Sequence, residues 1–296
     1  MITTDNTKNC VIRLYEPYDA YMTLMEQQKL RLGVVNFLNS TPLIDGITVC
    51  DGVELIPKVP SELVGCLEQN EVDIALASSI DYQLCNKQLS ILPVGVLSSN
   101  GETLTVRLCS RNPLDEISEV YCDTDSHTSI VLLQIVMKNK FGIAPKIIPC
   151  NIRELIESNV ELPSTILMIG DKVITSESEE IFSYQLDLGS AWHEQTDLPF
   201  VFATWFCSED IDDSVVQRAI MILDRQLRFN TNRIEQVVSK YSPQRGWDVN
   251  VAFRYLTEHI QFSFSEEHRK SLELFYNLAA KIGAIETLKP LRFYGK

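Results

Sequence analysis

The chain has few basic residues for its length. Its 296 residues include 26 lysines and arginines against 40 aspartates and glutamates, which gives a formal net charge of −14. No stretch concentrates lysine and arginine as a nucleic-acid-binding surface would require. We therefore expect neither nucleic acid nor an anionic membrane as a partner. An anionic ligand would have to be held by local donors such as backbone amides, hydroxyls or a single arginine.

Long apolar runs are also missing. No run approaches the roughly 18 residues of a membrane span, and the N-terminus MITTDNTKNCVIRLYEPYDAY has neither the basic start nor the continuous apolar core of a secretory signal. The eight cysteines are scattered without a CxxC spacing or a cysteine–histidine cluster, which favours small buried side chains in a reducing compartment. We expect a cytoplasmic protein.

The familiar motifs for cofactors and metals are absent as well. The sequence contains no Walker loop, no GxGxxG and no HExxH, and its four histidines share no metal-ligand spacing. We therefore expect no bound cofactor and no metal site.

What the sequence does contain is an alternation of strand and helix patterns. LGVVNF, VELIPKV and VDIALASSIDY predict strands, with a helix in PSELVGCLEQNE, and EVYCDT, KIIPC and TILMIGD predict strands, with helices in SIVLLQIVMKNKFG and NIRELIES. Such alternation favours an α/β fold with doubly wound, largely parallel sheets. A chain of 296 residues also exceeds the usual size of one hydrophobic core, which favours two lobes.

The predicted boundaries follow from the two βαβ patterns. We predict an N-terminal appendage at residues 1–30 with a helix opened by Pro17, a first lobe from residues 31–106 plus 202–296, and a second lobe from residues 107–201. TLTVRLCSR and LPFVFATWF bracket the middle unit, so we expect them to form paired crossings between the lobes. From about Asp212 the chain is expected to be mostly helical.

Small hydrogen-bonding side chains follow two of the predicted strands. Asn39 and Ser40 follow LGVVNF after a single leucine, and Ser78 and Ser79 close the strand in VDIALASS. In open α/β sheets, ligands bind at the carboxyl ends of strands. These loops therefore predict a cleft for a small carboxylate.

A helix start in CDTDSHTSIVLLQIV belongs to the same pattern. Asp125 or Ser126 can cap this helix, which leaves Thr128 and Ser129 in its first turn, where free N–H groups favour an anion. Capping alone is the alternative function of these hydroxyls. Asp171, which closes the strand in TILMIGD, either caps a helix or faces the cleft.

With these segments assembled, the chain resembles the chorismate dehydratase family of the futalosine route to menaquinone. The resemblance runs from about Leu30 to the C-terminus and is carried, in the family's order, by GVVNFLNSTPL, PSELVGCLEQNEVDIALASSIDY, SRNPLDEI, DTDSHTS, LMIGD and LDLGSAWHEQTDLPFVFATW. It implies a two-lobed fold of the periplasmic-binding-protein type II with two crossing strands, in a cytosolic enzyme. The implied reaction is that of a carbon–oxygen lyase, which removes water from chorismate to give 3-[(1-carboxyvinyl)oxy]benzoate in menaquinone biosynthesis.

The resemblance also implies roles for individual residues. Asn39 and Thr105 match the family's catalytic positions, and Thr128 and Ser129 match its helix-start pair. The expected substrate-binding residues are Ser40, Ser78, Ser79, Ser126, His127, Thr128, Ser129 and Asp171. Because the matched loops carry no glutamate, lysine or histidine in an obvious role as base, apart from His127, we hypothesise that a substrate carboxylate takes the ring proton.

The chain departs from the family pattern at three positions. Thr105 stands where serine is common, His127 where arginine is usual, and Arg107 where an apolar residue is more usual. An imidazole with a reference pKa of about 6.5 near a bound carboxylate would make binding weaken as pH rises. Two other functions stay open: a binding or sensory protein of the same fold without turnover, and the sister enzyme that forms 1,4-dihydroxy-6-naphthoate, which would need its own base histidine.

Overall fold

A computed structural model of the chain describes residues 29–50, 52–158, 160–176 and 181–295. Nearly all of the predicted appendage, including its expected helix, lies outside these residues. Within the described ranges, no helix is both long and apolar enough to cross a membrane.

The described residues form eleven strands. They are β1 (Leu30–Val35), β2 (Val53–Lys58), β3 (Ile74–Ser78), β4 (Leu89–Ser99), β5 (Val106–Ser110), β6 (Glu119–Asp123), β7 (Lys146–Cys150), β8 (Thr165–Ile169), β9 (Tyr184–Asp187), β10 (Phe200–Ser208) and β11 (Ile260–Gln261). They assemble into two separate sheets, one of six strands in the order β11-β4-β10-β3-β1-β2 and one of five in the order β7-β6-β8-β5-β9. The fold is therefore mixed α/β with two lobes.

The helices lie mostly between the strands and in the C-terminal third of the chain. They are α1 (Thr41–Ile44), α2 (Leu63–Glu68), α3 (Asp81–Leu84), α4 (His127–Val136), α5 (Ile152–Glu157), α6 (Lys172–Thr175), α7 (Leu188–Thr196), α8 (Asp213–Thr231), α9 (Ile234–Tyr241), α10 (Val249–Arg254) and α11 (Glu266–Lys281). A π-helical turn continues α4 through Phe141 and another continues α10 through His259.

Each sheet contains a parallel triplet extended by antiparallel strands on one side. The triplets are β2-β1-β3 and β7-β6-β8, whereas β10 is antiparallel to β3 and β5 is antiparallel to β8. The expectation of largely parallel sheets therefore holds only for the triplets. The Gly170 amide, just after β8, donates to the Thr105 carbonyl, just before β5. Because β5 starts beside the end of β8, β5 runs in the opposite direction to β8.

The chain passes between the sheets at residues 100–105 and returns through α7 and residues 197–199. The segments that were expected to form paired crossings, 103–111 and 198–206, contain β5 and most of β10, which lie in different sheets. Each segment therefore begins at one of the two passages between the sheets and continues as a strand of the sheet that it enters. The lobe boundaries themselves stay a prediction.

Apolar packing also joins the two sheets. Trp192 of α7 is fully buried, with its ring 5.2 Å from the ring of Phe200 in β10 and 6.1 Å from that of Phe275 in α11. The continuous apolar runs of β1, β3 and β8 become strands that are buried along nearly their whole length, as expected when helices cover both faces of a sheet. This packing fixes the strand ends that form the cleft.

Candidate functional site

The carboxyl ends of parallel strands from both sheets meet at a cleft. Val35 at the end of β1, Ser78 at the end of β3 and Ile169 at the end of β8 all line it, together with Ser126 at the start of α4. The empty space in the cleft, counted together with the solvent at its open side, is about 490 Å³. This is the position at which open α/β sheets bind ligands.

The walls of the cleft are uncharged. The apolar residues of the wall include Phe37, Leu97, Val106, Phe202 and Ile260. Its polar residues are Asn39, Ser78, Thr103, Thr105, Ser126 and Ser129. Among the described residues that line the cleft there is no lysine, arginine, histidine, aspartate or glutamate. A bound anion would therefore depend on hydroxyls, the amide of Asn39 and the N-terminus of α4.

A tight turn after β1 presents Asn39 to the cleft. Residues Leu38–Ser40 form a 3-10 turn, and the Ser40 hydroxyl lies 2.6 Å from the Val35 carbonyl and 2.8 Å from the Phe37 carbonyl. Ser40 is buried, is bonded to the backbone and does not line the cleft. It therefore holds the loop, and the Oδ1 atom of Asn39 is buried without a hydrogen-bond partner.

Three serine hydroxyls form a group at the start of α4. Ser126 caps the helix by accepting from the Ser129 amide at 3.3 Å, and the Ser129 hydroxyl lies 3.2 Å from the same oxygen. Across the cleft, the Ser78 hydroxyl of the other sheet lies 3.4 Å from Ser126 Oγ. The predicted helix-capping residue is confirmed as Ser126, and its neighbours bring hydroxyls from both lobes together.

Ser79 and Thr128 connect the two lobes and do not line the cleft. The Ser79 hydroxyl donates to the Val201 carbonyl at 2.7 Å, and Thr128 Oγ1 accepts from the Ile80 amide at 3.1 Å. Both side chains are buried, and the two hydroxyl oxygens are 3.3 Å apart. The structure therefore places this predicted substrate-binding pair in a contact between lobes.

His127 forms a second contact between the lobes. Its Nδ1 lies 2.7 Å from Oδ1 of Asp81 at the start of α3. The hydrogen bond to Asp81 raises the pKa of His127 against the effect of burial, and burial raises the pKa of Asp81 against the effect of His127. His127 does not line the cleft, so the structure gives it a partner in the other lobe instead of the expected ligand carboxylate.

Asp171 also reaches across the cleft, to the turn that carries Asn39. Its carboxylate accepts from the Leu38 amide at 3.2 Å and pairs with Arg245 at 3.3 Å, and it makes no side-chain cap to α6. Burial raises the pKa of Asp171, and the Leu38 amide and Arg245 oppose this shift. Beside it, Gly170 has a φ of +80°, and an added Cβ would lie 3.1 Å from the ring of Phe37. Asp171 thus faces the opposite lobe. It lies beside the cleft but is not one of the residues that line it.

Thr105 meets a residue that sequence reasoning did not identify. Its Oγ1 lies 2.8 Å from the hydroxyl of Tyr255, which directly follows α10 and is fully buried. Burial raises the pKa of Tyr255, and the neighbouring side chains of Thr105 and Asn39 oppose this shift. The Tyr255 hydroxyl therefore contacts one of the two predicted catalytic side chains, Thr105, although no local motif around residue 255 signals this.

Asp187 holds the backbone that leads to Thr105. Its carboxylate accepts from the amides of Thr103 at 3.0 Å and Leu104 at 2.9 Å, and it caps α7 through the Ser190 amide at 2.9 Å. Leu104 has a φ of +59°, so this loop is strained. Asp187 was also missed, although an aspartate before a helical segment is a recognisable capping signal.

Arg107, two residues beyond Thr105, is directed to its own lobe. Its guanidinium donates to Gln185 at 3.1 Å and lies 3.8 Å from the carboxylate of Glu102. It does not line the cleft, so this departure from the family pattern lies outside the lining.

The cleft thus brings only part of the predicted site together. The predicted site residues on its wall are Asn39, Ser78, Thr105, Ser126 and Ser129, and those bonded elsewhere are Ser40, Ser79, His127, Thr128 and Asp171. In the described ranges, no group of three or more histidines, cysteines, aspartates or glutamates is placed to hold a metal ion.

The profile of the protein family described as Menaquinone biosynthesis matches residues 30–281. The chain belongs to this family. The match covers every described strand of both sheets, so it includes all the residues that form the cleft.

Two curated relatives of this chain are named chorismate dehydratase. The relative from Thermus thermophilus is 29% identical over 192 residues, which cover 59% of this chain and 68% of the relative. The relative from Campylobacter jejuni is 26% identical over 242 residues, which cover 81% of this chain and 88% of the relative.

Solved structures resemble the chain in fold at much lower identity. The periplasmic aliphatic sulphonate binding protein SsuA from Escherichia coli superposes with a TM-score of 0.59 at 13% identity, over 91% of this chain and 94% of that protein. The predicted two-lobed, periplasmic-binding-protein-like architecture is confirmed.

Proposed function

We propose that the protein is a chorismate dehydratase, a carbon–oxygen lyase that removes water from chorismate to give 3-[(1-carboxyvinyl)oxy]benzoate. The observation that carries the proposal is the uncharged cleft lined by both Asn39 and Thr105, in which the Thr105 hydroxyl lies 2.8 Å from that of the buried Tyr255. The family match and the two relatives named chorismate dehydratase support it.

Substrate binding is assigned to the hydroxyl group at the start of α4. The helix is ten residues long, and its free N–H groups and dipole favour an anion at this end. Ser126 and Ser129 from one lobe and Ser78 from the other bring hydroxyl donors to the same place. A carboxylate of the substrate would accept these hydrogen bonds and draw the two lobes together.

The proposed reaction needs orientation more than acid or base strength. A ring C–H bond breaks, its electrons form the new ring double bond, and the neighbouring C–O bond breaks to release hydroxide, which leaves as water with the proton. Because the product ring is aromatic, the driving force lies in the substrate and the protein has to hold it in the reactive geometry. Asn39 and Thr105 are assigned to the reacting region.

The proton acceptor is assigned to the substrate. No side chain with an ionisable carboxyl, imidazole or amine is among the described residues of the cleft wall. His127, the residue considered as a base from the sequence, is bonded to Asp81 across the lobes. A carboxylate of chorismate is therefore the proposed base, and it passes the proton to the departing hydroxide.

We propose that this reaction takes place in the cytoplasm on a small carboxylate substrate, without nucleic acid or membrane as a partner. The net charge of −14 disfavours polyanionic partners. The seven cysteines within the described residues are free thiols, which agrees with a reducing compartment.

Purified protein incubated with chorismate and followed by liquid chromatography with mass detection tests the proposal. We expect a product lighter by one water that coelutes with synthetic 3-[(1-carboxyvinyl)oxy]benzoate, and a much smaller amount from the Asn39→Ala variant. Binding of chorismate by calorimetry without product would favour the binding or sensory function. If chorismate neither binds to the protein nor is converted, the proposal is rejected.

A further inference from the structure

We propose that Asp171 is a positioning residue, which fixes the turn that carries Asn39 from the opposite side of the cleft. Asp171 follows β8 of the five-stranded sheet, whereas the turn follows β1 of the six-stranded sheet. This inference deepens the proposed function and rests on it for the kinetic part of its test. In this role Asp171 acts through Asn39 and makes no contact with the substrate.

The Oδ1 atom of Asn39 depends on the turn for its position. It is buried without a hydrogen-bond partner, although the residue lines the cleft. The turn, Leu38–Ser40, is three residues long. The place of this oxygen in the cleft therefore follows from where the two neighbouring residues, Leu38 and Ser40, are held.

Those two neighbours are anchored on opposite sides of the cleft. The Ser40 hydroxyl donates to the Val35 carbonyl of β1 at 2.6 Å, which ties it to its own sheet. The Leu38 amide lies 3.2 Å from Oδ1 and 3.3 Å from Oδ2 of Asp171, which ties it to the other sheet. Because Leu38 is fully buried, loss of this acceptor would be costly. The position of Asn39 therefore depends on both sheets.

Arg245 ties the same carboxylate to the chain just before the turn. Its guanidinium lies 3.3 Å from Oδ2 of Asp171 and donates to the backbone carbonyl of Asn36 at 2.8 Å and to its side-chain oxygen at 2.7 Å. Since the side chains of Asp171 and Arg245 are only 16% and 19% exposed, water screens this pair less than a surface ion pair. Gly170 lies against the ring of Phe37. The three residues before Asn39 are thus all held in this contact.

The two roles that the sequence suggested for Asp171 do not account for its burial. It makes no side-chain cap to α6, and it does not line the cleft. A buried carboxylate is costly unless it is paired and hydrogen-bonded, and the partners of this one are the turn and the arginine that holds the turn. Positioning of the turn is the role that these contacts support.

Replacement of Asp171 by alanine and by asparagine tests this role. In Asp171→Ala we expect kcat to fall about tenfold or more with KM within about a factor of two, because orientation at the reacting region is lost. Asp171→Asn should restore most of kcat, since one amide oxygen in place of Oδ2 would lie 3.3 Å from both the Leu38 amide and Arg245. An asparagine variant as slow as the alanine variant would overturn the proposal, because the charge of Asp171 would then matter and not its hydrogen bond to the turn.

His127→Gln is the matched control. It removes another charged contact between the lobes, the one at 2.7 Å to Asp81, and leaves the contacts of the Asn39 turn in place. Its kcat should stay within about a factor of two of wild type. An equal loss in His127→Gln and Asp171→Ala would overturn the proposal, since any weakening between the lobes would then have the same effect.

A double-mutant cycle shows whether Asp171 acts through Asn39. Asp171→Ala should cost nearly nothing once the Asn39 side chain is absent, because coupled residues are not additive. Single turnovers with protein in excess keep the slow conversion by Asn39→Ala measurable. Arg245→Met removes the same contact from the other side and gives the same test if Asp171→Ala does not fold. Losses that multiply with that of Asn39→Ala would overturn the proposal.

Hydrogen exchange of the Leu38 amide, followed by NMR, decides the inference without reference to turnover. We expect exchange to be about tenfold or more faster in Asp171→Ala than in wild type, as for loss of a hydrogen bond to a charged group, and nearly unchanged in Asp171→Asn. The Asp45 amide, which donates to the Thr41 carbonyl at 2.9 Å, is the internal control. An unchanged Leu38 amide, or equal acceleration of both amides, would overturn the positioning role. If the wild type does not convert chorismate, the proposed function fails, and this exchange alone decides the role of Asp171.

Discussion

A methyl group added at Gly189 is expected to lower both stability and turnover. Gly189 lies in the first turn of α7, directly against the loop that leads to Thr105. A Cβ at this position would overlap the carbonyl oxygen of Gly101 and lie 2.6 Å from Ser99 Oγ and 3.1 Å from Thr103 Cβ. Only glycine therefore allows α7 to approach this loop so closely.

The expected loss of stability in Gly189→Ala follows from which atoms would have to move. Overpacking costs about 1–3 kcal/mol, and the upper end applies because a backbone oxygen cannot rotate away as a side chain can. Replacing a helical glycine by alanine returns about 0.5–1 kcal/mol. We therefore expect Gly189→Ala to lower the free energy of unfolding by about 2 kcal/mol.

Gly65→Ala is the matched control. Gly65 lies in α2, and an added Cβ there meets nothing within 4 Å. This variant should therefore raise the free energy of unfolding by up to about 1 kcal/mol. Urea unfolding followed by tryptophan fluorescence measures both changes, and conversion of chorismate measures the displacement of Thr105. A Gly189→Ala protein that is as stable and active as the wild type would refute the close approach of α7 to the loop that leads to Thr105.

Three further predictions concern the cleft and the contact between the lobes. Asn39→Ala should lose most turnover with little change in urea midpoint, since its Oδ1 makes no bond within the protein; turnover within a factor of about two of wild type would leave Asn39 a loop residue only. Thr105→Ser should be tolerated and Thr105→Val should not, because the hydroxyl is the group bonded to Tyr255; equal rates in steady-state assays would exclude that role. Asp81 raises the pKa of His127. The pair of His127 with Asp81 therefore stabilises the fold fully below the pKa of His127 in the unfolded chain, about 6.5. This contribution is lost as pH rises through the higher pKa of His127 in the folded protein. The urea midpoints of wild type and His127→Gln should therefore converge above neutral pH, and a constant difference would contradict the charged pair.

The strands and the helix start were predictable because they depend on local signals. LGVVNF, IALAS and TILMI are apolar runs bounded by turn residues, and they became β1, β3 and β8. Ser126 was one of two predicted caps of α4 and is the residue that accepts the Ser129 amide. Signals within a few residues were sufficient for both.

The partners of the hydroxyls were not predictable because they come from distant parts of the chain. Ser79 and Thr128 have the same local pattern as Ser78 and Ser129, yet they bond to each other's lobe and leave the cleft. Tyr255 reaches Thr105 from 150 residues away. Sequence spacing identifies a donor and cannot identify its acceptor. The predicted loops border the cleft, but several of the side chains that were assigned to the ligand form contacts between the lobes.

The central claim is that the cleft turns chorismate into an aromatic product, and proton NMR of chorismate mixed with the wild-type protein tests it most directly. The account predicts that the diene and carbinol signals of chorismate disappear together, while signals of a meta-substituted benzoate ring grow at the same rate and the enolpyruvyl methylene signals are retained. It also predicts that this conversion nearly stops in Asn39→Ala. A chorismate spectrum that does not change with time, or loss of the enolpyruvyl group, would contradict the account.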